Sequence, residues 1–73
     1  MTKHAPATPL PIIARIYVGH SIVRSGEVYR VVGSRKLSGN YFYIVRDCNQ
    51  RTFSMRREIV LAGQQSGEIM VTA

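Results

Sequence analysis

The stretch EVYRVVGSRKLSGNYFYIVRD, residues 27–47, decides how the chain is read. Two short runs rich in β-branched and aromatic residues, Glu27 to Val32 and Tyr41 to Asp47, flank a polar segment bounded by Gly33 and Gly39. Runs of this length and composition suit strands better than helices. Period two puts Tyr29 and Val31 on one face of the first run and Val28, Arg30 and Val32 on the other. In the second run the two sets are Phe42, Ile44, Arg46 and Tyr41, Tyr43, Val45. Both faces of both runs are partly apolar, whereas a flat sheet with one wet side alternates more cleanly. The pattern therefore predicts strands that curl into a small barrel or meet another surface on their second side. The intervening residues Gly33 to Asn40 are expected to protrude as a loop with Arg35 and Lys36 at its tip.

Working outward, Ile12 to Val18 and His20 to Arg24 have the same strand texture, with Gly19 between them and Ser25-Gly26 supplying a tight turn into Glu27. Glycine recurs at 19, 26, 33 and 39, where a reversal or a bulge needs backbone angles that other residues resist. Downstream, Asp47-Cys48-Asn49-Gln50 carries side chains that stabilise turns, so Tyr41 to Asp47 and Arg51 to Met55 are expected to form a hairpin. One short helical or 3₁₀ turn is expected near Met55 to Ile59, followed by a strand over Ile59 to Ala62. In the tail, 64–73, Glu68 to Val71 either pairs as a last strand or frays. Before all of this, residues 1–11 hold the three prolines, Pro6, Pro9 and Pro11, and read as a flexible arm preceding one domain over 12–73.

Five or six short strands, one protruding loop and a 3₁₀-like turn before a final strand resemble the SH3-like small β-barrel found in many binding modules. The resemblance runs over Val18 to Ala62 and rests on element order, on Gly19 and Gly26 around the first strand, and on Met55 to Ile59 before the last. It implies an all-β fold and a binding role. The acidic loop and paired aromatics of peptide-binding SH3 domains are missing, so it assigns no binding residue.

Composition limits the functions that such a domain can carry. A chain of 73 residues buries only about 60% of its unfolded surface, which leaves little room for a deep substrate pocket. No run approaches the roughly 20 apolar residues of a membrane span; Ile12 to Val18 is interrupted by Arg15. The first residues lack the pattern of a secretory signal, so a cytoplasmic location and no membrane contact are expected. Cys48 is the one cysteine, and with two scattered histidines it builds neither a disulfide nor a zinc site; no metal and no cofactor are expected. The remaining titratable residues, Glu27, Asp47, Glu58, Glu68, His4 and His20, form no catalytic signature. A Cys48–His20–Asp47 arrangement is conceivable, but Cys48 falls in a turn with no local motif. No Gly-Lys-Ser/Thr sequence marks a phosphate loop. The expected class is non-catalytic.

What stands out is the charge. Ten Lys/Arg against four Asp/Glu leave +6, and of the cations inside the folded part all but Lys36 are arginine. Guanidinium groups grip phosphate through paired hydrogen bonds and stack on bases. The expected nucleic-acid-binding residues are Arg30, Arg35, Lys36, Tyr41, Tyr43, Arg46, Arg51, Arg56 and Arg57, for DNA or RNA. Tyr41 and Tyr43 share a strand face that Arg30 would reach if the two strands pair suitably, and they either stack on bases or pack inside the domain. The alternative is an adaptor or inhibitor of the phage- or plasmid-accessory type that docks on an acidic protein, by an edge strand in one version. A homodimer is compatible with either, because so small a core is marginal.

Overall fold

The computed structural model of the chain describes residues 9–73. Four strands follow one another as a meander: β1 (Ser21–Arg24), β2 (Glu27–Leu37), β3 (Asn40–Arg46) and β4 (Thr52–Arg56). A ten-residue helix, α1 (Arg57–Ser66), leads to β5 (Ile69–Thr72). The strands form one antiparallel sheet in the order β4-β3-β2-β1-β5. The sequence predicts an all-β barrel of five or six strands; the structure has five antiparallel strands and one helix, and β5 does pair, against β1. The sheet is open rather than closed, since β4 and β5 stand at its two ends.

The turns follow from local chemistry. Ser25-Gly26 and Ser38-Gly39 each place both central residues at positive φ (52° and 78°, 52° and 82°), as the tightest hairpins require. In the β3–β4 turn, Asp47 Oδ1 accepts from the backbone N–H groups of Asn49 and Arg51, both at 2.9 Å. α1 ends on Gly67 in the left-handed region, whose N–H donates to the Gly63 carbonyl at 2.9 Å.

The core lies between the sheet and α1: Ile22, Val31, Tyr43, Val45, Val60, Ile69 and Val71. From the helix, Val60 and Gly63 are the buried positions, three residues apart and so on one face. Gly63 has a packing reason: a Cβ there would sit 2.8 Å from Ile69 Cβ, closer than real carbon atoms approach.

Four expected elements differ. Ile12 to Val18 is not a strand. It is a loop with a turn closed by Ala14 N–H to the Pro11 carbonyl, because Leu10 and Pro9 already take the outer side of β5. Ile59 to Ala62 is helical, and the short turn expected at Met55 to Ile59 is divided between the end of β4 and the start of α1. Gly33 to Leu37 is not a loop but the second half of β2, paired with β3 as far as Leu37 and Asn40. Arg35 and Lys36 therefore stand on a strand, not at a loop tip. Of the expected arm, residues 1–8 lie outside the described residues, while Pro9 bridges to Thr72 and the Leu10 N–H donates to the Val71 carbonyl at 2.7 Å.

Candidate nucleic-acid interface

Strand register sorts the arginines. Val31 pairs with Val45, and both are buried under α1, so Arg30 and Arg46, which also pair with each other, project from the opposite, open face. Between Val31 and Gly33 the register shifts by one residue, a bulge at Val32. Without it, strict alternation would turn Arg35 toward the helix and Lys36 away from it. With it, Arg35 pairs with Phe42, which pairs in turn with Arg56 on β4, and all three lie on the open face. Lys36 is moved to the helix side, opposite Tyr41.

The open face therefore carries two basic rows. One is Arg30–Arg46, flanked by Ser21 and Thr52; the other is Arg35–Phe42–Arg56. Between them run Gly33, Ile44 and Ser54. Phe42 and Ile44 are half-buried, while all four arginines are exposed. No strand residue on this face is acidic: Glu27 has the parity of half-buried Tyr29 and the core residue Val31, and Asp47 caps a turn. The single ion pair among the described residues joins Arg56 to Glu58 on the first turn of α1, at 3.0 Å. The same guanidinium donates to Asn40 Oδ1 at 3.2 Å. Both partners of the pair are largely exposed, so it neutralises Arg56 only weakly in salt.

The other expected site residues lie elsewhere. Tyr43 is 8% exposed and belongs to the core, so of the two roles considered for it, packing is the one observed. Burial is the main cause that raises its phenol pKa above the ordinary value; the nearby Arg57 charge opposes the shift and Tyr41 adds to it. Tyr41, 39% exposed, meets the Tyr43 ring edge-on, donates from its hydroxyl to Ser34 Oγ at 3.3 Å, and lies beneath the Arg57 guanidinium at 5.5 Å. Arg30 does not reach these rings, because it projects from the opposite face. Arg51 stands beside the Asp47 turn, its carbonyl accepting from the Asp47 N–H at 2.9 Å. Lys3 and His4 lie outside the described residues.

Of His20, Asp47 and Cys48, the first two hold local structure. His20 Nδ1 accepts from the Tyr17 backbone N–H at 3.0 Å, Asp47 holds its turn, and Cys48 is an exposed free thiol. Among the described residues, no three His, Cys, Asp or Glu side chains cluster. No helix of the described residues is long and apolar enough to cross a membrane. The face set by the bulge is what the sequence reading missed, and Gly33 directly after a strand-like run was its signal. No family model, curated protein or solved structure matches the chain.

Proposed function

We propose that the protein is a small non-catalytic module that binds nucleic acid through the phosphate backbone, laid across the open face of the sheet. The reading is carried by Arg30 and Arg46, directly opposite each other on neighbouring strands of a face whose strand residues include no carboxylate. Like charges in facing cross-strand positions cost stability, and pairs of this kind are worth about 0.2–1 kcal/mol. An anion bridging them removes that cost. Phosphate matches the geometry of the guanidinium fork through paired hydrogen bonds.

Spacing supports the same reading. Phe42 and Arg46 are four residues apart on β3, about 14 Å at ~3.4 Å per residue. A nucleic-acid strand carries one charge per nucleotide, so rows this far apart leave each arginine pair its own phosphate along the same strand. Ile44 between the rows and Phe42 within the second supply the apolar ground for a base or sugar. A single aromatic residue on the face gives little base discrimination, so sequence preference is modest. Within this proposal the fold is an opened relative of the SH3-like small barrel, with β5 beside β1 and a helix before the last strand. The setting is the cytoplasm, where a lone thiol stays reduced.

Fluorescence anisotropy with labelled single-stranded DNA, single-stranded RNA and duplex DNA, titrated across salt, tests the reading. The doubly substituted Arg30→Ala/Arg46→Ala protein should bind at least tenfold more weakly, with a logarithmic salt slope shallower by about 2. Removing one cation from the other side, Arg24→Ala, should change affinity and slope less than half as much. No binding to any of the three at low salt, or a double variant that keeps the native slope, would defeat the proposal.

A further inference from the structure

On the helix side of the sheet, between the loop over residues 12–18 and α1, runs a cleft of about 860 Å³. Its floor is core: Val31, Tyr43 and Val60. Its walls are apolar side chains left open to water. Ile13 is 94% exposed and Val18 68%, and Tyr17, Tyr41 and Leu61 are exposed as well. Scattered apolar residues on a surface are ordinary, but here they converge on one concavity, which is the form of a docking site.

Charge names the occupant. Arg15 and Arg57 are the charged residues of the lining, and no Asp or Glu lines the cleft. Arg57 stacks on Tyr41 and so is held over an apolar wall. Gln64 and Gln65 add amide donors and acceptors along the helix rim. A second copy of this chain brings another +6 to a cationic rim and is the wrong sign. We infer that the cleft is a docking site for an acidic peptide segment of a partner protein, with apolar side chains entering between residues 12–18 and α1 and carboxylates meeting Arg15 and Arg57. Because α1 and the open face lie on opposite sides of the sheet, this segment and a polyanion on Arg30 and Arg46 do not compete. The inference stands whether or not the open face binds nucleic acid.

The test uses a displayed library of random twelve-residue peptides selected against the immobilised protein. Enriched peptides are then synthesised, labelled and measured by anisotropy at physiological salt. The enriched set should combine Asp or Glu with large apolar residues. Ile13→Asp/Leu61→Gln, at exposed positions that spare the core, should weaken binding at least tenfold, and Arg15→Glu alone should weaken it severalfold. Arg30→Ala/Arg46→Ala should leave it within twofold of the native value. The inference is overturned by failure to enrich peptides over the Ile13→Asp/Leu61→Gln protein, by enriched sequences without acidic residues, or by equal loss in the Arg30→Ala/Arg46→Ala protein. It is also overturned if sedimentation detects a dimer that Ile13→Asp abolishes, since a second copy then fills the cleft.

Discussion

The two faces of this sheet are built from alternate residues of the same strands, yet they answer to different demands. On the helix side Ile22, Val31, Val45 and Val71 are almost fully buried with Val60 above them, and no charged side chain is buried with them. On the open side Arg30, Arg35, Arg46 and Arg56 stand over half-buried Phe42 and Ile44. Burial on the first face supplies the stability, and the second sets like charges beside one another at some cost to it. The bulge at Val32 links the two, because it moves Arg35 onto the face of Arg30 while leaving Val31 in the core.

The largest effect should come from truncating the same side chain on the two faces. Ile22→Ala, in the core, should lose about 2–5 kcal/mol in urea unfolding. Ile44→Ala, on the open face and half-buried, should lose less than half of that. Equal losses would mean that the open face is covered in solution, and the contrast between the faces would fail. Next in size is Gly63→Ala. Alanine gains about 1 kcal/mol of helix propensity over glycine, but its Cβ meets Ile69 at the helix–sheet seam, where overpacking costs about 1–3 kcal/mol. A net loss is expected. It should be smaller in an Ile69→Ala background, so that the double-mutant cycle is non-additive; a stabilised single variant would show that the seam gives way freely.

The same contrast explains how much of the molecule was legible beforehand. β3 and the Ser25-Gly26 and Asp47 turns could be read from local chemistry, since left-handed residues and side-chain-capped turns are properties of a few neighbours. Ile12 to Val18 and Ile59 to Ala62 have equally strand-like compositions and are not strands, because pairing depends on a free neighbour. Leu10 and Pro9 occupy the outer side of β5, and burying Val60 against the sheet outweighs the few tenths of a kcal/mol by which Ile and Val disfavour a helix. Conversely, Gly33 to Leu37 looks like a loop and is a strand, because β3 offers it a continuous partner. The candidate face was half legible: residue types predicted arginines meeting a polyanion, but only the one-residue register shift decides which of them share a surface.

A smaller effect separates the cost of the like-charged pair from its use. Arg30→Glu turns the facing Arg30 and Arg46 positions into opposite charges, so stability should rise by about 0.2–1 kcal/mol at low salt. Nucleic-acid affinity should fall in the same protein by more than in Arg30→Ala. A variant that gains stability while losing affinity would place fold and recognition in opposition at one residue. If stability falls instead, the guanidinium stem of Arg30 contributes packing over the open face, and the division of labour between the faces is less complete than drawn.

The smallest effect is confined to alkaline pH and to the helix side. The Tyr43 phenol pKa is raised above its ordinary value of 10.0, chiefly by burial. As pH rises past that value the unfolded chain gives up its proton first, which favours unfolding. The contribution of Tyr43 is therefore intact below about pH 10 and lost as pH climbs toward the folded-state value. Tyr43→Phe removes this titration and little else, since its hydroxyl makes no hydrogen bond among the described residues; stability at pH 7 should stay within about 0.5 kcal/mol of native. Thermal midpoints measured from pH 9 to 11 should then fall less steeply for Tyr43→Phe than for the native protein. Some slope should persist, because the Tyr29 phenol is raised by burial and by its hydrogen bond to Glu27. Parallel slopes in the two proteins would mean that Tyr43 reaches water freely, and the core beneath α1 would then be looser around Tyr43 than around Val31 and Val45.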